Sequence, residues 1–366
     1  MNGTVDWNAI RAQFPALTRW TYLNTATYGQ VPLRSQSAVQ KHFVRRDQFA
    51  CQDFLGFFDD ADDLRTLLAE LIRCRPDDIA FAPNACTALS LFLGGIGWRP
   101  GDKILTLADE FPNQYYYASW LKNRGVELVE SATIDTLPAN TRAIILSTVN
   151  YTTGYRPDLA RISRLAHDTG AFLYIDGTQS LGALRFDVQE IKPDLFAVDG
   201  YKWLLCPNGA TFFYISPALR AAIPPAVIGW RSDRGWRSVD DLHHGAPQLP
   251  EGAERYEGGM LNFPSLYAMH ESVRMLFEIG PEAIESRVLS LAAQTADILR
   301  AGGATIQHEN TNVIAARWPG RDVSVLAKDL AAKRIVVAAR HGNLRVSPHF
   351  YNDESDLRAL RDAIRA

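Results

Sequence analysis

Lys202 lies in Asp199-Gly200-Tyr201-Lys202-Trp203, after the apolar run 195–198 and before Leu204-Leu205-Cys206-Pro207-Asn208-Gly209. An amine enclosed by so much apolar and aromatic chain loses solvation of its charged form. Its pKa then falls from the usual ~10.4, which makes it a candidate Schiff-base nucleophile. The competing structural reading is a lysine whose stem crosses apolar surface while its ammonium reaches water. Asp176, in Tyr174-Ile175-Asp176-Gly177-Thr178-Gln179-Ser180, follows apolar residues at a strand end. A carboxylate there can hold a ring nitrogen protonated, or it can cap the turn that follows. Gln179 could reach a phenolic oxygen on the same ring. Asn84 precedes Ala85-Cys86-Thr87 as a helix N-cap. The free backbone N–H groups there would form an anion site aided by the helix dipole, unless Asn84 is merely a cap.

These groups matter only if secondary structure brings them together. From about Ile79 onward, short apolar runs alternate with helical patterns, the signature of βαβ units and a mostly parallel sheet, so the fold class is α/β. Residues 78–81 read as a strand, followed by a helix from Asn84 to the Gly94-Gly95 stop. A turn at Arg99-Pro100-Gly101-Asp102 leads to strand 103–107, and a helix over 114–123 ends at Gly125. The unbroken apolar stretch 143–148 predicts a buried strand, and 157–169 a helix ended by Gly170. Strand 171–175 then delivers Asp176 at its C-terminal end, where ligands gather in open α/β sheets. Between Trp236 and Gly259 the chain turns to Gly, Pro, His and acidic residues. Beyond it, helices over 265–279, 284–301, 323–332 and from Glu354, with strands over 312–318, 335–339 and 344–346, predict an α+β cap. The expected domains are an N-terminal arm (1–25) packing with the small domain, a large domain (26–240) and a small C-terminal domain (241–366).

Composition narrows the function classes. The 366 residues, 47% hydrophobic and 22% charged, suit a globular chain of more than one domain. A net charge of -3 gives no basic excess for nucleic acid or an anionic membrane. No apolar run approaches the ~20 residues of a spanning helix, and no basic-then-apolar leader opens the chain, so a cytoplasmic location is expected. Cys51, Cys74, Cys86 and Cys206 are scattered without C-x-x-C or His spacing, predicting reduced thiols and no metal site. The run Gly95-Ile96-Gly97-Trp98-Arg99-Pro100 follows a helix and has Pro in its third slot, so it fails as a dinucleotide motif. No G-x-S-x-G elbow occurs. His243-His244 reads as solvated surface. A non-catalytic binding protein with Lys202 idle is the reading of another class.

Pyridoxal phosphate (PLP) calls for an amine, a carboxylate at its pyridine nitrogen and a phosphate site. In this combination the chain resembles the class V aminotransferase family of fold-type I PLP-dependent enzymes, which includes cysteine desulfurases, kynureninases and isopenicillin N epimerase-like proteins. The resemblance runs from Tyr22-Leu23-Asn24-Thr25-Ala26 to Tyr351-Asn352. It is most specific in Asp176-Gly177-Thr178-Gln179-Ser180-Leu181-Gly182, Asp187, Asp194 and Lys202-Trp203. It implies that Lys202 forms an imine with PLP, Asp176 pairs with the pyridine nitrogen, and Gln179 lies near the ring oxygen. It further implies that Tyr201, Ala85, Cys86 and Thr87 bind phosphate. Phe111, in Asp109-Glu110-Phe111-Pro112-Asn113, falls where desulfurases stack a His on the ring and kynureninases use Phe. Arg345, in Leu344-Arg345-Val346-Ser347-Pro348-His349-Phe350, matches the arginine that grips the substrate α-carboxylate, with Asn24 and Tyr28 expected beside the substrate. A homodimer is implied.

Departures from the family pattern shape the expected chemistry. The segment 336–343 holds no cysteine where desulfurases carry their nucleophile. Asp199 replaces a Ser near the phosphate, so its carboxylate must point away or be neutralised. Met260 replaces the Thr with which a neighbouring subunit touches phosphate. Asn150-Tyr151-Thr152-Thr153-Gly154 and Phe111-Pro112 lean toward kynureninases, while Gln179 leans away. Trp230, Arg231, Arg234, Trp236 and Arg237 are candidates for a side-chain pocket or an interface. The expected activity is a C–S or C–C lyase acting on an α-amino acid through a Cα carbanion, without a cysteine persulfide. Aminotransferase and epimerase are the alternatives.

Overall fold

The structure is a computed structural model that describes residues 5–242 and 244–365; of the His243-His244 pair, His243 lies outside the described residues. A seven-stranded sheet runs in the order Ile79–Ala82, Thr211–Ile215, Leu195–Asp199, Phe172–Asp176, Thr141–Ser147, Lys103–Leu107 and Glu127–Ser131. Thr211–Ile215 is antiparallel to both neighbours, and the remaining pairs are parallel. Residues of the central strands, among them Ile144, Ile145, Leu173, Ile175, Phe196 and Val198, are buried whichever way they point. Their sequences therefore read as continuous apolar runs, as expected for a sheet covered on both faces.

Local chemistry sets the helix ends. Asn84 accepts from the Thr87 N–H at 2.9 Å and opens the helix Ala85–Gly95. Asp158 caps Leu159–Thr169 in the same way, and Gly170, at φ 71°, closes it. The helix expected over 114–123 begins at Pro112, which suits a first helical turn, and its end tightens into a 3-10 turn before Gly125. The reading that starts at Ile79 leaves two earlier helices out, Leu33–Phe49 and Phe54–Ile72. The second had a legible signal: Phe57, Ala61, Leu64, Leu68 and Ile72 recur at helical spacing and are buried. Both pack against the helix Phe263–Ile279.

A second, antiparallel sheet runs in the order Ala338–Arg340, Asn343–Val346, Ile314–Arg317, Thr305–Ile306. Leu299, Leu326, Leu330, Leu344, Val346 and Leu360 form the apolar layer under it. The strand expected over 335–339 is divided. Ile335–Val336 pairs in parallel with Thr21–Tyr22, and Ala338–Arg340 joins the antiparallel sheet. A bridge between Asn24 and Ser347 continues this pairing and sets the early chain beside Arg345.

Of the arginine and tryptophan cluster near Trp236, Arg231 and Trp236 are core, while Arg234 and Arg237 are exposed. Arg231, 2% exposed, stacks between Phe58 and Trp236, each 4.6 Å away, and pairs with Glu257 at 2.8 Å. Glu257 also pairs with Arg65 at 2.9 Å. Burial alone would raise the Glu257 carboxyl, but the two guanidiniums pull it below its ordinary value. Arg237 pairs with Asp59 and Asp62 on the surface. Among the described residues no helix is long and apolar enough to cross a membrane.

Candidate active site

The strands Phe172–Asp176 and Leu195–Asp199 are parallel neighbours, so their C-terminal ends open on the same edge. The first delivers Asp176, and the second leads through Gly200 to Lys202. Glycine is required at 200, because a Cβ there would come within 2.3 Å of the Cys206 sulfur. The early chain closes over this turn: the Gly29 N–H donates to Tyr201 O at 2.9 Å, and a Cβ on Gly29 would meet Lys202 O at 1.9 Å.

Lys202 is 8% exposed, so its ammonium does not extend into water. Its Nζ stands 5.7 Å from the Phe111 ring centroid and 5.5 Å from that of Tyr201. Burial pulls the amine down to about 8; Asp176 opposes that fall, and Arg345 adds to it. Asp176 is buried, and its Oδ1 accepts from the Thr178 N–H at 2.9 Å, so it does cap the following turn. Burial raises its carboxyl above the ordinary range, with Thr178 in opposition. Gln179 is fixed at both ends of its amide. Its Nε2 donates to Ala26 O at 3.0 Å and its Oε1 accepts from Trp203 Nε1 at 3.2 Å, leaving one N–H for another acceptor.

Phe111 meets Tyr151 edge-on at 5.2 Å, and the Tyr151 hydroxyl lies 3.1 Å from His341 Nε2. Tyr28 is half exposed, accepts from Asn208 Nδ2 at 2.7 Å, and packs 4.9 Å from Tyr201. Arg345 is 2% exposed. Its Nη1 donates to Tyr151 O at 2.7 Å and its Nη2 to the Thr27 hydroxyl, with Asn24 Oδ1 at 3.5 Å. Its Nε has no partner. Burial pulls this guanidinium down to about 10, and Arg340 adds to the effect.

The anion site at the helix start is smaller than expected. The Ala85 N–H is taken at 2.9 Å by Asp199 Oδ1, which also accepts from the Thr211 hydroxyl. The Thr87 N–H is taken by Asn84, and the Thr87 hydroxyl donates to the same oxygen at 3.0 Å. Of the three N–H groups only that of Cys86 is left without a partner. The Asp199 carboxylate is thus held by donors at the helix start, with its charge still to be set against any phosphate there. Its contact with Ala85 spans 114 positions and had no local signal.

Sequence reasoning also missed Glu110. Its carboxylate accepts from Ser147 N–H at 2.7 Å and Ser147 Oγ at 2.6 Å, and Ser147 lies beside Asp176 in the sheet. Burial pushes this carboxyl up to about 7, while the Ser147 bonds oppose the rise. The only available signal was an acid flanking Phe111 at a strand-to-helix turn.

A family description, Aminotransferase class-V, matches residues 56–360. A probable cysteine desulfurase of Methanothermobacter thermautotrophicus is 23% identical, over 97% of this chain and 96% of the relative. An isopenicillin N epimerase of Streptomyces clavuligerus is 25% identical, over 99% of this chain and 98% of the relative. Among solved structures, the cystine C–S lyase C-DES in complex with its product cysteine persulfide shares the fold. Its TM-score is 0.88 at 22% identity, over 96% of this chain and 99% of that one. A mutant of C-DES carries glycine covalently linked to its PLP cofactor. With its mostly parallel sheet, its buried lysine and carboxylate at neighbouring strand ends, and this match over most of its length, the chain belongs to the class V aminotransferase family of PLP-dependent enzymes.

Proposed function

We propose that the chain acts on an α-amino acid as a C–S or C–C lyase without a cysteine persulfide, with PLP held at Lys202 and substrate at Arg345. Arg345 carries this reading. A guanidinium buried to 2% exposure with no acidic partner and an unbonded Nε is costly unless an anion completes it. A substrate carboxylate supplies that anion in the bidentate form arginine favours.

The residues fit PLP more fully at the ring than at the phosphate. Lys202, Asp176, Phe111 and the spare Gln179 N–H suit the amine, pyridine nitrogen, ring face and ring oxygen. The Cys86 N–H and the Tyr201 hydroxyl are the donors left for phosphate. When bound, PLP supplies an electron sink for negative charge at the substrate Cα. Lys202, lowered to about 8, offers a neutral amine in appreciable fraction near neutral pH and can take or return the proton at Cα. Asp176, buried and without a cationic partner on a hydrogen bond, would keep a pyridine nitrogen protonated. Arg345 fixes the carboxylate, with Asn24 and Thr27 accepting from its Nη2, and the early chain over Lys202 restricts water.

Two of the cysteine positions support the reading without a persulfide. Segment 336–343 has none, and Cys206 is buried with its thiol pushed up by burial. The epimerase relative keeps racemisation as the second reading. We further propose a large domain over 26–240, a small one over 241–366 with the 1–25 arm against it, and a cytoplasmic homodimer. The pairing of Thr21–Tyr22 with Ile335–Val336 and the four unpaired cysteines support these readings.

Borohydride reduction of the purified enzyme should leave a phosphopyridoxyl label on Lys202. Arg345→Ala should weaken amino-acid binding by roughly thirtyfold or more, given the ~2–5 kcal/mol lost when a buried charge pair is truncated, with PLP affinity little changed. A label on another lysine, or equal loss of amino acid and PLP, contradicts the reading.

A further inference from the structure

Arg345 is not the only unpaired cation at this site. In the antiparallel sheet Ala338 stands opposite Arg345 and Arg340 opposite Asn343, while Ile314–Arg317 pairs on the other side with Ala315 opposite Arg345. Side chains two apart on a strand share a face, and residues directly opposite do too. Arg345, Arg340 and Arg317 therefore share one face, and they grade from buried through half-buried to exposed.

Among the described residues none of these arginines has an acid. Arg340 donates only to the neighbouring carbonyl of Ala339, at 2.8 Å. Arg317 donates to Asn343 Oδ1 at 2.7 Å and to His341 O at 3.3 Å. Of the buried arginines, Arg65 and Arg231 are each matched to Glu257, whereas Arg345 has no acid. The strip also reaches the reactive amine. His341, next to Arg340, touches Tyr151, Tyr151 packs on Phe111, and Phe111 lies under Lys202. Arg340 adds to the downward pull on both Lys202 and Arg345, after burial in each case.

One α-carboxylate neutralises one guanidinium. A second guanidinium on the same face of the sheet favours a ligand with a second negative group. We propose that the substrate is an α-amino acid whose side chain carries its own acid group, with Arg345 taking the α-carboxylate and Arg340 the side-chain acid. Arg317, at the exposed end of the strip, draws such a dianion inward. This inference rests on the reading of Lys202 and Arg345 given above and adds the charge of the substrate side chain to it.

The holoenzyme can be titrated with aspartate, glutamate, asparagine, glutamine and alanine while its cofactor absorbance is followed. The acids should bind tighter than their amides by about tenfold, equivalent to about 1.4 kcal/mol, and Arg340→Gln should abolish that preference. Alanine binding should change by less than about twofold in Arg340→Gln, and Arg340→Lys, which keeps the charge, should retain most of the preference. Equal affinity for acids and amides in the wild type, or an equal loss of alanine and aspartate in Arg340→Gln, would overturn the inference while leaving Lys202 and Arg345 in their roles. No spectral response to any amino acid, together with no label on Lys202, would overturn the underlying reading and this inference with it.

Discussion

Glu110 shows how a single buried acid can tie the stability of the site to pH. In the unfolded chain its carboxyl titrates near the ordinary 4.5, and in the fold burial lifts it to about 7. Between those values the folded state binds the extra proton, so stability falls as pH rises from about 4.5 to about 7. Above that window the ionised group is held by Ser147 and the Phe111 N–H. Glu110→Gln removes the titration and keeps an acceptor for the Ser147 N–H. Thermal melts of the two proteins from pH 5 to pH 8 should therefore show the wild type losing stability relative to Glu110→Gln as pH rises. Parallel pH profiles would mean that Glu110 keeps an ordinary pKa. Lys202 and Asp176 were legible in the sequence because each follows an unbroken apolar run, and a strand end at a parallel sheet edge is a place the chain order fixes. Glu110 was not, because its partner Ser147 is 37 positions away and only the sheet order makes them neighbours.

At the scale of elements, much of the core could be read because pattern and caps agree: strand 103–107 and helix 323–332 occur where expected, and Gly170 ends its helix. The antiparallel strand Thr211–Ile215 and the edge strand Glu127–Ser131 escaped, the first lacking a preceding helix and the second carrying little apolar alternation. The start of the helix Ala85–Gly95 is where element and function meet. A helix N-terminus attracts anions, and here it already holds one in Asp199. Bringing a phosphate to the same end sets two negative groups together, and screening is weak where the carboxylate is half-buried. Asp199→Asn keeps an oxygen to accept from Ala85 and Thr211 but removes the charge. The apoenzyme carrying it should bind PLP about tenfold more tightly, whereas pyridoxal, which lacks the phosphate, should bind as it does to the wild type. Fluorescence titration of both ligands checks this, and a tightening that includes pyridoxal would assign the effect to the ring site instead.

For the whole molecule, one stretch of exposed apolar side chains favours a second chain, alongside others such as Tyr116 and Trp120. The helix Leu33–Phe49 buries Ser35, Ala38 and His42 against its own protein. Its C-terminal half presents Phe43 at 48%, Val44 at 62% and Phe49 at 47% exposure. Isolated exposed apolar side chains need no explanation, but a group of large ones on one exposed half-helix favours an interface. A two-fold pairing is the usual solution, and each copy then covers the other's patch. The protein should accordingly sediment at about twice its 40.8 kDa chain mass. Val44→Glu combined with Phe43→Glu puts two charges into that contact; Phe43 also packs 5.4 Å from buried His42, so the mass should shift toward one chain while circular dichroism shows the fold kept. A wild-type protein that sediments as a single chain at assay concentration and is fully active there excludes the pairing. A dimer unaffected by the double substitution moves the interface to another face of the molecule.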